Sequence, residues 1–175
     1  MNKLKTKQLV VDAMLIALLV VSSFISIPIN QVPVTLQTLM VYILLLVFSI
    51  RDNLIVLVTY LIMGLCGLPV FSGFSSGITP TLGFIIGFIV SVFIYHILKK
   101  ILKINNDMIK KIISLLVCVI TINLTGSIYF MIYFEYSFIE AISLTIFPFI
   151  LFDIIKMSIA IILGNRLKVI LNEEK

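Results

Sequence analysis

Six apolar runs alternate with short polar or charged segments along the chain. The runs occupy residues 9–27, 34–50, 54–68, 81–98, 112–134 and 148–171. A helix needs about 20 mostly apolar residues to cross a bilayer, and these runs approach that length. Pro28 ends the first run, and Pro148 suits the first turn of the last helix, where a missing N–H costs nothing. The pattern predicts an all-α membrane protein with six transmembrane helices.

Two of the segments between the runs differ from simple turns. Residues 135–147 are amphipathic and contain two acids, which favours a short helix along the membrane surface. Residues 67–81 are too rich in Gly, Pro and Ser for a regular helix. We therefore expect one short surface helix and one irregular loop in addition to the six spans.

The composition indicates that lipid is the solvent for much of the surface. Hydrophobic residues make up 61% of the chain and charged residues 12%, whereas soluble domains are about 45–50% apolar and about 25% charged. A soluble fold of 175 residues cannot bury so much apolar surface, but lipid tails remove the need to bury it. We expect a single six-helix transmembrane domain that covers residues 1–175.

The distribution of cations predicts the orientation. The chain has 13 Lys and Arg residues. With the N-terminus placed inside, all of them except Lys156 fall in inner segments, and the outer loops contain only the acids Glu135 and Glu140. Because cytoplasmic segments carry an excess of Lys and Arg, we expect both termini to be cytoplasmic. This distribution accounts for the net charge of +5, which therefore does not indicate a nucleic-acid partner.

Lys156 lies inside the last predicted helix, three residues after Asp153. Residues at i and i+3 share a helix face, and ionisable groups at membrane depth usually face a cavity, a partner or a substrate. Two interpretations fit. The residues form a structural ion pair that locks the bundle, or they form a polar ligand site, which would open outward because both lie in the outer half of the helix.

Other polar residues lie near the predicted outer ends of helices. Thr35 and Gln37 bring polar groups to the outer leaflet at the start of the second run. The loop 69–81 is long enough to fold into the mouth of the bundle, where irregular backbone is tolerated, and it also fits a plain external connector. Its candidate ligand-binding residues are Ser72, Gly73 and Thr81.

Two further positions allow more than one role. Tyr129, near the outer end of the fifth run, fits a tyrosine of the interfacial belt and a ligand-binding residue equally. Ala13 and Ala17 are small residues four apart in the first run, a spacing that lets another helix approach closely. That helix could belong to the same bundle or to a partner.

Several catalytic patterns are absent from the sequence. No phosphate-binding glycine loop with a following Lys-Ser or Lys-Thr occurs, so the chain is not expected to hydrolyse ATP. Neither a Ser/His/Asp arrangement nor a His-Glu-x-x-His motif occurs. Cys66 and Cys118 lack metal-ligand spacing, and His96, the only histidine, cannot form a metal site alone. We expect no enzyme activity, no metal site and no cofactor in this chain.

Four stretches of the chain combine into a recognisable set of motifs. They are residues 33–39 (Pro-Val-Thr-Leu-Gln-Thr-Leu), 64–73 (Gly-Leu-Cys-Gly-Leu-Pro-Val-Phe-Ser-Gly), 80–88 (Pro-Thr-Leu-Gly-Phe-Ile-Ile-Gly-Phe) and 148–156 (Pro-Phe-Ile-Leu-Phe-Asp-Ile-Ile-Lys). Together they resemble the BioY family, the biotin-specific substrate-binding (S) components of energy-coupling factor (ECF) transporters. The first and last stretches are the most specific. Leu151 and Phe152 depart from the family, which often has Pro-Gly there.

The resemblance implies that biotin is the ligand, captured at the outer face of the bacterial cytoplasmic (inner) membrane. It makes Asp153 and Lys156 the family's ligand-binding pair, in which the carboxylate accepts from the ureido N–H groups. The ammonium donates to the ureido oxygen or pairs with the carboxylate of biotin. Apolar walls are expected at Phe71, Phe74 and Phe84.

The resemblance also implies partners. S components dock on a separate transmembrane coupling subunit that is driven by two ATPases. By this resemblance, Ala13 and Ala17 match the small-residue face of the first helix that S components use for docking. Two alternatives stay open from the residues alone. One is an S component for another vitamin, such as thiamine or riboflavin. The other is a non-transporting membrane scaffold in which Asp153 and Lys156 merely pair.

Overall fold

A computed structural model describes residues 3–29 and 31–173. Within these ranges the chain forms seven α-helices, one pair of short antiparallel strands and one turn of 3-10 helix. The helices are α1 (Lys3–Phe24), α2 (Gln37–Val47), α3 (Ile50–Leu65), α4 (Leu82–Ile101), α5 (Asp107–Phe134), α6 (Phe138–Thr145) and α7 (Phe147–Glu173). The strands are β1 (Ser26–Ile27) and β2 (Val34–Thr35), and the 3-10 turn covers Ser72–Phe74. Residues 1–2 and 174–175, on which the prediction about the termini falls, lie outside the described ranges, as does residue 30 of the predicted polar link.

The strand pair shortens the first two predicted helices. β1 and β2 pair with Ser26 opposite Thr35, and the N–H of Leu36 donates to the carbonyl oxygen of Ile25 at 3.0 Å. Backbone groups next to a membrane helix need hydrogen-bond partners, and here the facing strand supplies them instead of a helical turn. α1 therefore ends three residues earlier than predicted, and α2 begins three residues later.

Two polar segments that were predicted as connectors are helix starts. The side chain of Ser49 accepts a hydrogen bond from the N–H of Asp52 (3.3 Å) and caps α3. The side chain of Asn106 accepts from the N–H groups of Met108 and Ile109 (3.0 and 3.3 Å) and caps α5. Side-chain oxygens at these positions satisfy N–H groups that a helix leaves unpaired at its start. Both helices therefore begin about one turn earlier than predicted.

The amphipathic segment before α7 forms the expected short helix, α6. Ser137 and Glu140 make a capping box, in which the Glu140 carboxylate accepts from the backbone N–H (2.9 Å) and the hydroxyl (2.7 Å) of Ser137. The hydroxyl and backbone hydrogen bonds from Ser137 hold the pKa of Glu140 below its usual value. A charged Glu140 thus fixes the start of α6 directly after α5.

Two helix pairs form the centre of the bundle. α4 packs along α5, and α2 packs against α7. Gly83 and Gly87 allow the first of these contacts, because a Cβ at Gly83 would overlap Tyr129 and a Cβ at Gly87 would overlap Thr125. These pairs bring the first turns of α2, α4 and α7 to the same end of the bundle as the second half of α5.

Helix length separates the described helices into two groups. α1, α4, α5 and α7 are long and apolar enough to cross a membrane. α2 has 11 residues and α3 has 16. Their lengths are about 16 and 24 Å at about 1.5 Å per residue, against a hydrocarbon core about 30 Å thick. The all-helical fold is confirmed, whereas the six-span topology stays a prediction.

Candidate ligand-binding site

A cavity opens at the end of the bundle where α2, α4 and α7 begin. Small-molecule sites usually combine apolar walls with a few polar groups. The polar side chains of the lining belong to Thr35, Gln37, Thr38, Ser72, Thr81, Asn123, Asp153 and Lys156. The apolar lining residues are Val32, Pro33, Val34, Phe84, Ile85, Phe88, Ile122 and Phe149. The composition of the lining fits a small amphipathic ligand.

The only charged lining residues, Asp153 and Lys156, lie on one face of α7 and are 3% and 7% exposed. The Nζ atom of Lys156 is 3.8 Å from Oδ1 of Asp153, which is longer than a hydrogen bond. Lys156 donates to the hydroxyl of Thr38 at 2.8 Å. Asp153 accepts from the side-chain amide of Asn123 at 2.9 Å. Each charged group is therefore oriented by a neutral residue from another helix.

The two charged groups keep unused hydrogen-bonding capacity. An ammonium has three donors and a carboxylate has about four acceptor positions. Within the described residues, Lys156 uses one donor and Asp153 accepts one hydrogen bond. Hydrogen bonds are stronger in a site of low dielectric constant, and unpaired polar groups there are costly. The site is therefore suited to a ligand that presents both a donor and an acceptor within a few ångströms.

A hydrogen-bonded chain joins the cavity to the loop that follows α3. The amide of Gln37 donates to the Tyr60 hydroxyl at 2.6 Å, and this hydroxyl donates to the carbonyl oxygen of Val70 at 2.9 Å. Ser23 donates to the same carbonyl oxygen at 2.7 Å. Residues of α1, α2 and α3 thus fix the start of the loop against the bundle.

The loop itself covers one side of the cavity. Phe71 is fully buried against the Tyr60 ring, with the ring centroids 5.4 Å apart, and it lies over Gly64, where a Cβ would overlap its ring. Gly73 has a φ of +70°, which lets the chain turn directly after Ser72. The Ser72 hydroxyl lies in the cavity lining and has no hydrogen-bond partner among the described residues. This hydroxyl is therefore available to a ligand.

Aromatic rings form the opposite wall. Phe84 of α4 and Phe149 of α7 meet edge to face with their ring centroids 6.2 Å apart. Gly126 of α5 lies directly behind Phe84, because a Cβ at this glycine would overlap the ring. Close packing of α5 against α4 therefore sets the position of the wall.

Most of the ligand-binding residues predicted from the sequence meet in this cavity. Those that line it are Asp153, Lys156, Thr35, Gln37, Ser72, Thr81 and Phe84. Three others do not line it: Phe71 packs beneath the loop, Gly73 shapes the turn, and Tyr129 lies at the contact of α4 with α5. Phe74, expected as an apolar wall, is 67% exposed and stacks on Phe24 at 4.2 Å.

The sequence did not identify every polar residue of the site. Thr38 lies in the specific stretch 33–39, yet it is not among the predicted ligand-binding residues. Asn123 is not among them either, although it joins α5 to α7 through its hydrogen bond to Asp153 and also lines the cavity. The signal that could have indicated Thr38 and Asn123 is a neutral polar side chain that faces a charged side chain on a neighbouring helix.

Ala13 and Ala17 lie on an outer face of α1. Both are exposed, as are Met14 and Leu18 beside them, whereas Leu19 on the opposite face is fully buried. The two alanines therefore do not pack the interior of this bundle, and their contact with a partner stays a prediction.

Comparison with known proteins places the chain among membrane transporters. It is 30% identical over 93% of its length to the biotin transporter BioY of Thermotoga maritima, 96% of which is covered. It is 32% identical over 94% of its length to the probable biotin transporter BioY of Pyrococcus horikoshii, 98% of which is covered. The crystal structure of an S component for biotin from an ECF-type ABC transporter matches with a TM-score of 0.83 at 26% identity, over 96% of this chain and 94% of that one. The model of the BioY family matches residues 1–173. The chain therefore belongs to the BioY family.

Proposed function

We propose that this chain binds biotin at the outer face of the bacterial cytoplasmic membrane and delivers it, as an S component, to a separate coupling subunit driven by two ATPases. The observation that carries the proposal is the buried pair Asp153 and Lys156, which retains hydrogen-bonding capacity inside a cavity with apolar walls. The ligand itself is supported by the relatives, which are named as biotin transporters.

The chemistry of biotin suits the arrangement of the site. Biotin has a ureido ring with N–H donors and a carbonyl acceptor, and an apolar stem that ends in a carboxylate. Asp153 accepts from the ureido N–H groups, and Lys156 donates to the ureido oxygen or pairs with the carboxylate. Thr38 and Asn123 hold these two charged groups in position. The aromatic wall at Phe84 covers the apolar part of the ligand.

Delivery requires partners because the sequence has no phosphate-binding loop with which to use ATP. The exposed face of α1 around Ala13 and Ala17 is suited to docking on a coupling subunit, since small residues let the backbones of two membrane helices approach closely. The large apolar side chains of Met14 and Leu18 are exposed beside the two alanines.

The proposed orientation has six spans with both termini cytoplasmic. Ile78, in the loop before α4, is 72% exposed, and Asn105, between α4 and α5, is also exposed. We expect a membrane-impermeant maleimide to label Ile78→Cys in intact cells and Asn105→Cys only after permeabilisation. The parent for both should carry Cys66→Ala, because Cys66 is exposed whereas Cys118 is buried. Labelling of Asn105→Cys in intact cells would contradict the orientation.

The aromatic wall gives a prediction about cavity shape. We expect Gly126→Ala to displace the Phe84 ring into the cavity. Overpacking of this kind costs about 1–3 kcal/mol, so biotin affinity in a calorimetric titration should fall roughly fivefold to a hundredfold.

Two further variants control the Gly126→Ala experiment. Gly164→Ala makes the same change at the contact of α7 with α2, away from the cavity, and should leave the affinity unchanged. Phe84→Leu added to Gly126→Ala should recover part of the loss, because the smaller side chain makes room for the new methyl group. Equal affinity in Gly126→Ala and the parent would show that the wall does not touch the ligand.

The transport step is tested by uptake of radiolabelled biotin. A bacterial strain without its own biotin importer should accumulate biotin when it makes this chain together with a coupling module. Excess unlabelled biotin should block the uptake, and excess thiamine or riboflavin should not. Uptake that thiamine blocks equally would contradict biotin as the specific ligand.

A further inference from the structure

A second pocket lies at the opposite end of α4, α5 and α7 from the ligand cavity. It forms where the last turn of α4 meets the first turns of α5 and the last turns of α7. The lysines in its lining are Lys99, Lys110, Lys111 and Lys168. We call this cluster of four lysines and the space between them the inner pocket.

The inner pocket has an excess of positive charge. Among residues 6–29 and 31–171, whose side chains are described, its lining contains one carboxylate, Asp107, which pairs with Lys111. Lys111 also donates to the side-chain oxygen of Asn165 at 2.8 Å. Within the same ranges, Lys99, Lys110 and Lys168 have no ion-pair partner. Three cations around one small space repel each other, and an anion between them would remove the repulsion.

The floor of the pocket contains an unpaired hydroxyl. Ser114 lines the pocket and is 1% exposed, and its Oγ atom has no hydrogen-bond partner among the described residues. Other serines in helices of this chain donate to a carbonyl of the preceding turn, such as Ser91 to Phe88 and Ser127 to Asn123. A buried hydroxyl without a partner costs free energy, and an anionic oxygen in the pocket would accept its hydrogen bond.

The surroundings indicate that the anion is attached to a lipid. Large exposed apolar side chains lie within two residues of the pocket lining along α4 and α5: Ile101 is 66% exposed, Met108 45% and Ile109 47%. Such side chains suit acyl chains, whereas a freely diffusing anion does not need them. The leaflet that would supply the lipid follows from the proposed orientation, in which this end is cytoplasmic and faces anionic headgroups that attract lysine clusters.

We infer that the inner pocket binds the phosphate group of an anionic phospholipid, with Lys99, Lys110 and Lys168 around the phosphate and the Ser114 hydroxyl as a donor. The bound lipid lies against the apolar rim of α4 and α5. It neutralises the lysine cluster and joins the ends of α4, α5 and α7, which together with α2 line the ligand cavity at the other end.

The inference is tested by thermal unfolding of the purified full chain in a neutral detergent. The probes are dihexanoyl phosphatidylglycerol, dihexanoyl phosphatidylcholine with the same chains, and inorganic phosphate. The pocket variant is the triple substitution Lys99→Gln, Lys110→Gln and Lys168→Gln, which leaves the Lys111–Asp107 pair intact. The control is Lys100→Gln, Lys103→Gln and Arg166→Gln, which removes the same charge from the same end outside the pocket.

Phosphatidylglycerol should raise the unfolding temperature of the parent and of the control more than phosphatidylcholine does. The pocket variant should bind phosphatidylglycerol about a hundredfold more weakly, at about fivefold for each lysine lost. If inorganic phosphate alone reproduces the shift, the phosphate site stands and its ligand is the free anion. Equal responses to the two lipids, or equal responses of the pocket variant and the control, would overturn the inference.

Two parallel measurements distinguish lipid binding at the inner pocket from the proposed function and from a protein contact at the same place. Biotin affinity should be the same in the pocket variant and the parent, so a failure of lipid binding and a failure of the proposed function are distinguishable. Co-purification with the coupling module should also be unchanged. The lipid assignment would be overturned if the pocket variant lost the coupling module and the parent showed no response to phosphatidylglycerol. The inner pocket would then be a protein contact.

Discussion

Asp153→Asn and Lys156→Met should each weaken biotin binding by roughly thirtyfold to several-thousandfold, a loss of about 2–5 kcal/mol. Each substitution removes a charge-assisted hydrogen bond to the ligand and leaves the other charged group buried without its counter-charge. Thr38 and Asn123 remain in place to orient the surviving group. Isothermal titration of purified protein with biotin measures the effect directly.

The same two variants distinguish a ligand site from a structural ion pair. A structural pair would give poor yield of folded protein and nearly normal affinity in whatever survives, whereas a ligand site gives normal yield and weak binding. Glu135→Gln and Lys103→Met are matched controls, because they remove the same charges from exposed positions. Normal affinity in both site variants would contradict the assignment of the pair to the ligand.

Ala13→Leu combined with Ala17→Leu should reduce biotin uptake to the level of cells that lack the coupling module. Both alanines are exposed on α1, and two leucines there would hold a partner helix away from the backbone. Biotin binding by the isolated chain should be unchanged, since the ligand cavity lies between other helices. Uptake assays and titrations on the same variant separate the two functions.

The control for the docking face is Ser158→Leu, which adds a similar side chain to an exposed position on α7. It should change neither uptake nor binding. If the double alanine variant loses biotin binding and uptake together, the face of α1 supports the bundle itself and the docking assignment is wrong. If Ser158→Leu reduces uptake equally, added bulk on any lipid-facing helix is enough, and α1 has no special role.

The apolar runs predicted where helices lie, but they did not predict where the helices end. A run of apolar residues is required wherever a helix faces lipid, so its position can be read from composition. The ends depend on local hydrogen bonds instead. Ser49, at the end of a predicted run, and Asn106, in a predicted connector, each cap a helix, and the pairing of β1 with β2 ends one helix early and delays the next.

The charged members of the site were recognisable because a charge at membrane depth requires a partner or a function. The neutral members, Thr38 and Asn123, were harder to recognise from the sequence. A threonine or asparagine is tolerated on several faces of a membrane helix, and whether Thr38 and Asn123 face the cavity depends on how α2 and α5 pack. The aromatic residues show the same limit: Phe71 and Phe84 both lie in family motifs, yet only Phe84 lines the cavity.

The most direct test of the central claim is an equilibrium titration of the purified chain, without any coupling subunit, with biotin, thiamine and riboflavin. We expect saturable binding of one biotin per chain, because the described residues form one cavity that contains both charged groups of the pair. Thiamine and riboflavin should not compete. A chain that is folded by thermal unfolding yet binds no biotin, or that binds thiamine or riboflavin instead, would contradict the proposed function.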